Sequence, residues 1–180
     1  MKKTILFILS VVMLFVVISS FTLKSDDDLF GIANQKLVEY KIKKSNYVIL
    51  IDYTKPITSE RLYVLNMKTN EVVIKSTVSH SFKSGVLYPS DYSNVSGSNK
   101  SSKGGFIAKG TYNGGFGYSM VIRGLDKGIN DNVESRKVIF HSTKKMATPW
   151  SNGCFATPED VNQKLIDLTK NGTFIYVISE

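Results

Sequence analysis

The sequence contains one thiol, Cys154, and two imidazoles, His80 and His141. A cysteine becomes a nucleophile when its proton can leave, and an imidazole within hydrogen-bond reach is the usual acceptor. His141 ends the apolar run Val138-Ile139-Phe140, upstream of Cys154, so a strand would carry it to a rim and a loop would return the thiol to it. The thiol closes the run Pro149-Trp150-Ser151-Asn152-Gly153-Cys154, whose small polar residues and glycine read as a turn rather than a core strand. Such a turn presents its side chain. The backbone N–H groups of Asn152, Gly153 and Cys154 could then converge on an oxyanion if Gly153 permits the tight bend. These residue types point to acyl transfer. The alternatives are a buried Cys154 acting as a small hydrophobe and a structural His141 at a strand end. No metal or other cofactor is expected, because two histidines and one cysteine so far apart fit no zinc spacing.

The elements around these residues can be read from periodicity. Asp26-Asp27-Asp28 offers an N-cap for a helix to about Lys43, with Phe30, Ala33, Leu37 and Tyr40 on one face, expected to pack as an N-terminal arm. Strands are predicted over 47–52, 61–67 and 71–79, the last two joined by Lys68-Thr69-Asn70 as a hairpin with Leu62, Val64, Val72 and Ile74 on a shared face. Residues 90–105, rich in Ser, Asn and Gly, read as a long loop, and short strand-like pieces lie among the glycines that follow. Strands are expected again over 118–123 and 137–141. A helix then starts with Thr157 as N-cap and Pro158 at its first position, places Val161, Leu165 and Leu168 on one face, and closes at Asn171-Gly172 before a last strand over 173–178. The predicted fold is mostly β (α+β), with a helix directly after the cysteine turn.

Composition sets the compartment and the partners. The 180 residues, 42% apolar and 21% charged, describe a globular chain with room for one sizeable core. Lys2-Lys3 followed by the apolar run from Ile5 to Ile18 and then Ser19-Ser20 has the layout of a secretory signal, while the uncharged stretch from Thr4 to Leu23 is long enough for a membrane anchor. Cleavage and retention both stay open, and either reading exports residues 24–180, to the periplasm or cell envelope. An oxidising compartment pairs structural thiols, so an unpaired Cys154 in an exported chain argues for chemistry. The formal net charge of +8 favours anionic partners, but scattered Lys and Arg in an exported chain disfavour nucleic acid.

The ordered set Ile51-Asp52-Tyr53, Lys55-Pro56, Arg61-Leu62, Tyr92-Ser93-Asn94, Gly97-Ser98, Ser101-Ser102, Gly104, Tyr112, Gly117-Tyr118-Ser119, Gly124, Asn130, Arg136 and His141 resembles the murein L,D-transpeptidase catalytic domain. Ser151-Asn152-Gly153-Cys154 is similar to that family's Ser-x-Gly-Cys signature. The resemblance implies a β-sandwich with an N-terminal helix and a helix after the cysteine turn, over roughly residues 29–178. It implies that Cys154 attacks the carbonyl of the L-centred diamino acid in a peptidoglycan tetrapeptide stem, releasing D-alanine, and that His141 is the base, oriented by the backbone carbonyl of Ser142, where relatives commonly carry Gly. The acyl group would pass to the amine of a neighbouring stem. A hydrolytic L,D-carboxypeptidase, a protein-to-wall tethering transferase, and a non-catalytic wall-binding protein are the alternatives. Ser151, Trp150, Tyr118, Ser119, Tyr112 and His80 are implied as substrate-pocket residues, the aromatics and His80 equally open to structural roles. An imidazolium at His141 would favour the thiolate near neutral pH, carbapenems would acylate the thiol, and the loop over 90–105 would close over the donor stem.

Overall fold

The computed structural model describes residues 26–179. The proposed signal or anchor over 1–23 lies outside them, and no helix among the described residues is long and apolar enough to cross a membrane. Eight strands follow the first helix, α1 (Asp26–Glu39): β1 (Tyr47–Asp52), β2 (Leu62–Asn66), β3 (Glu71–Ser76), β4 (Gly104–Gly114), β5 (Gly117–Gly124), β6 (Ile139–Ser142), β7 (Phe155–Thr157) and β8 (Phe174–Ile178). The second helix, α2 (Glu159–Thr169), lies between β7 and β8. All eight strands form one sheet in the order β3-β2-β1-β8-β4-β5-β6-β7. The mostly β architecture expected from the sequence is present.

β1 explains how the layers stack. Alternate side chains of a strand leave opposite faces, and both faces of β1 are buried: Ile49 and Ile51 join the main core, whereas Val48 and Leu50 pack under Leu29 and Ala33 of α1. The buried stripe of α1 therefore starts at Leu29, one residue before the position expected, with Phe30, Leu37 and Tyr40 half-buried beside it. The helix ends at Glu39 rather than Lys43, and Lys41 turns the chain at a φ of 55°. On the other side of the sheet, Leu165 and Ile166 of α2 fill the main core.

The sheet curls until its distant strands share that core. Phe155 on the edge strand β7 lies 5.8 Å from Phe106 on β4 and 6.4 Å from Tyr53, which follows β1. Residues beyond β3 close the remaining gap. Ser79 N–H donates to the Ala156 carbonyl (2.9 Å), Ala156 N–H donates to Ser79 Oγ (2.9 Å), and Ser151 N–H donates to the His80 carbonyl (2.9 Å). This seam is how one sheet makes a sandwich.

Four local expectations need correction. A β-bulge between Val64 and Leu65 shifts the hairpin register by one residue, so Val72 pairs with Leu65 on the α1 side and does not share the face of Leu62, Val64 and Ile74. The glycine-rich pieces after residue 103 are one strand, β4, of eleven residues. A three-residue strand, β7, separates the cysteine turn from α2. Thr157 ends β7 instead of capping α2: Pro158 occupies the cap position with extended angles and no side-chain bond, and Thr157 Oγ1 donates to Asn162 Oδ1 (3.4 Å).

The seam is anchored by a charge with no access to water. Arg61 is fully buried. Its Nε and Nη2 donate to the Val78 carbonyl (3.1 and 2.7 Å), its Nη1 donates to the Lys55 carbonyl (3.2 Å), and its plane sits 4.7 Å from the Tyr53 ring centroid. Nη2 also donates to His80 Nδ1 (2.7 Å). A guanidinium only donates, so Nδ1 is an acceptor and His80 carries its proton on Nε2, which donates to the Gly85 carbonyl (3.0 Å). Burial, reinforced by the Arg61 charge, lowers the His80 pKa from 6.5 to about 4. The folded state thus holds this imidazole neutral. Its contribution to stability is complete above pH 6.5 and is lost as pH falls toward 4, because the unfolded chain takes up the proton first. The melting temperature should fall between pH 6.5 and 5, before ordinary carboxylates titrate. A flat profile across that window would contradict the assignment.

Candidate active site

β6 delivers His141 as its third residue, with Phe140 beneath it in the core. The buried imidazole has its Nδ1 2.9 Å from the carbonyl of Ser142. A carbonyl accepts, so Nδ1 bears the proton and Nε2 keeps its lone pair. After Ser142 the chain makes a single 3-10 turn, Thr143–Lys145, capped by Ser142 Oγ accepting from Lys144 N–H (3.0 Å). It returns to start β7 parallel to β6, with His141 opposite Ala156. The thiol precedes β7 by one residue. The same register sets Cys154 beside Ile139, two positions before His141, and both Cys154 and His141 line one cleft.

The cysteine turn is fixed at both ends. Ser151 Oγ accepts from Gly153 N–H (3.2 Å) and donates to the Cys154 carbonyl (2.7 Å), which also accepts from Ser79 Oγ (3.1 Å). Gly153 sits at a φ of 109°, and a Cβ there would lie 2.8 Å from the carbonyl oxygen of Lys100. Both the backbone angle and the close approach require glycine. Of the three N–H groups expected to face an oxyanion, that of Gly153 is engaged by Ser151. Asn152 and Cys154 remain as the turn's candidate donors.

Cys154 and His141 face one cleft of about 320 Å³, walled by Phe116, Met146, Trp150, Ser151 and Asn152 among others. Trp150 is held at the mouth by its Nε1 donating to the Val86 carbonyl (2.8 Å) and by edge contact with Phe82 at 5.2 Å. The other residues implied as pocket lining lie elsewhere. His80 is buried in the Arg61 cluster and contributes only its carbonyl, to Ser151 N–H. Ser119 is buried, with Oγ donating to the Gly117 carbonyl (3.0 Å). Tyr112 is exposed on the β4–β5 hairpin. The Tyr118 hydroxyl donates to Asp167 (2.9 Å), and its ring lines the neighbouring cavity.

Two residues not singled out as site residues shape the cleft. Phe116 occupies the two-residue tip between Gly114 and Gly117, and its ring stacks on that of His141 at 4.3 Å. The glycines flanking it were the available signal, since a hairpin that tight presents its tip residue. Arg136 lies behind the thiol. Its guanidinium donates to the carbonyls of Ser93 and Lys100 and to the hydroxyls of Ser98 and Ser102. Ser101 N–H donates to Ser84 Oγ (2.8 Å). The segment expected to close as a lid is thus pinned as a wall behind Gly153.

Burial and charge compete at the pair. Burial pushes the Cys154 thiol above its ordinary value, opposed by a backbone hydrogen bond from Ile139 and by the Arg136 guanidinium. Burial also lowers His141, opposed by its bond to the Ser142 carbonyl. Both shifts favour the neutral forms, a thiol and an imidazole, over the imidazolium-supported thiolate expected from the sequence. Sγ lies 3.7 Å from the Lys137 carbonyl, a contact that suits a thiol donor.

The family is decided by residues 24–178, which match the model of the L,D-transpeptidase catalytic domain. The chain belongs to this family. Among solved structures, Pgp2, a helical cell shape determining protein from Campylobacter jejuni (K307A mutant), shares the fold at 12% identity, with 87% of this chain, 55% of that one and a TM-score of 0.53. An L,D-transpeptidase from Mycobacterium smegmatis aligns at 14% identity over 75% of this chain and 59% of that one, with a TM-score of 0.47. One from Stackebrandtia nassauensis aligns at 15% identity over 77% and 57%, also at 0.47. The chain therefore spans between half and three-fifths of the length of these structures. No curated protein matches it.

In this L,D-transpeptidase family domain, alkylation of Cys154 followed against pH should show its midpoint above the ordinary thiol value. Arg136→Gln should move that midpoint further up, and Arg136→Lys should hold it closer to the unsubstituted protein. A midpoint unmoved by Arg136→Gln would remove Arg136 from the electrostatics of the site.

Proposed function

We propose that the chain is a murein L,D-transpeptidase working through a thioester on Cys154. The observation that carries this reading is the imidazole of His141, committed at Nδ1 to the Ser142 carbonyl and open at Nε2, in one cleft with the chain's single thiol. Cys154 Sγ attacks the carbonyl of the L-centred diamino acid of a tetrapeptide stem while His141 Nε2 takes the thiol proton. Because both groups rest neutral, proton transfer accompanies attack and no standing thiolate is needed. The N–H groups of Asn152 and Cys154 support the oxyanion. Collapse breaks the bond to D-alanine, whose amine leaves with the proton from His141. The amine of a second stem then attacks the thioester, His141 removes its proton, and the thiol leaves protonated.

Ser142 in place of glycine does not weaken this reading. Its φ of −78° and ψ of 148° are extended backbone open to any residue, and its carbonyl is in hydrogen-bond range of His141. The same thioester given to water or to a protein lysine would make a carboxypeptidase or a tethering enzyme, and a domain without turnover would serve as a wall binder. Lys2-Lys3 and the apolar run behind them support export to the cell envelope, where stem peptides lie.

Incubation with a disaccharide tetrapeptide should raise the intact mass by one acyl group, release D-alanine and yield cross-linked dimer. Cys154→Ala should abolish adduct and product while leaving the melting temperature within a few degrees of the unsubstituted protein. His141→Ala should slow acylation by roughly 10²–10⁴-fold. A carbapenem should add one equivalent, mapping to Cys154. Turnover surviving in Cys154→Ala would end the reading, and tripeptide without dimer would assign the acceptor to water.

A further inference from the structure

Among the described residues, no Lys or Arg lines the cysteine cleft. A stem peptide is nevertheless anionic, so its carboxylates must be received elsewhere or left in water. A second cavity of about 310 Å³ abuts the cleft, with Phe116 as the shared wall and Ser142, whose carbonyl orients His141, on its rim. Lys144, Lys145, Glu159 and Asn162 face into it. The two lysines differ in their partners. Lys144 Nζ is paired with Glu159 Oε1 at 2.6 Å, whereas Lys145 Nζ donates to a neutral group, the Gly115 carbonyl at 2.8 Å. An ammonium has three N–H donors, so Lys145 keeps donors and an uncompensated charge for a ligand. The floor is set: Asn162 Nδ2 donates to the Tyr118 carbonyl (2.8 Å).

We propose that this cavity is a carboxylate subsite for the amine acceptor, with Lys145 as the residue that reads the carboxylate. The proposal rests on the transpeptidase reading for the word acceptor. An acceptor anchored there would cross Phe116 to reach the thioester, and its amine would arrive on the side of His141. The carboxylate forms charge-assisted bonds with Lys145 while the ammonium stays bonded to the hairpin tip, so binding also holds Phe116 over the imidazole.

The test uses the full chain carrying Cys154→Ala, which cannot turn over, and two probes: a stem tripeptide ending in the diamino acid as its free acid, and the same peptide as its terminal carboxamide. The acid should bind about tenfold more tightly than the amide, a difference of the order expected for one charge-assisted contact. Adding Lys145→Gln should erase the preference, and adding Lys145→Arg should retain it. Equal binding of acid and amide, or a preference that survives Lys145→Gln, would overturn the proposal. In the otherwise unsubstituted protein, Lys145→Gln should raise the acceptor KM. Absence of any acyl adduct in the protein with Lys145 intact would count against the transpeptidase reading alone, since the binding comparison does not depend on turnover.

Discussion

A guanidinium shut away from water must spend its hydrogen bonds inside the protein, and Arg61 spends most of them on the segment after β3 that holds the cysteine turn. Its bonds to the Val78 carbonyl and to His80 Nδ1 fix the backbone of residues 78–80. Ser79 and His80 in turn hold Cys154, Ala156 and Ser151. The chain of support runs from one buried charge through one short segment to both ends of the cysteine turn. This arrangement works only while His80 is neutral, because a protonated Nδ1 would point a hydrogen at the guanidinium. The burial that lowers its pKa is therefore part of how the site is built.

At Cys154 and His141, geometry and charge make different contributions. Strand pairing sets where the thiol and the imidazole stand. Burial then disfavours charge on both, and Arg136 offsets part of that cost at the sulfur. Holding the two groups neutral limits side reactions of a standing thiolate, such as oxidation.

The parts of this structure that were legible in the sequence are those whose residue types are rare or whose periodicity is strong. An unpaired thiol in a glycine turn, an imidazole at the end of an apolar run and a strand such as β1 all announce themselves locally. The misplaced Val72 depended on a bulge, which shifts the register by one residue and has no local signature in Val64-Leu65. β4 was hidden by its glycines, which suit a bent strand as well as a loop, and β7 is too short to show a period. His80 stayed open between a pocket and a structural role because a histidine shows its chemistry but not its partners, and here the partner is Arg61, nineteen residues away in sequence. Arg136 belonged to the recognised pattern, yet its four contacts lie on a segment that looked like a lid. Long-range satisfaction of buried donors was the information missing.

Gly153 leaves no room for a side chain because the carbonyl of Lys100 already occupies the position where a Cβ would stand. The turn bearing Cys154 and the segment over 93–102 consequently form a single unit. Neither can drift alone: a residue larger than glycine at 153 demands that the backbone near 100 retreat, and that retreat loosens the bonds of Arg136. Reshaping this wall would require three separated stretches of chain to change together, whereas Phe116 stands at a hairpin tip whose neighbours Gly115 and Gly117 have open space around them, so the cleft is far easier to reshape from that side.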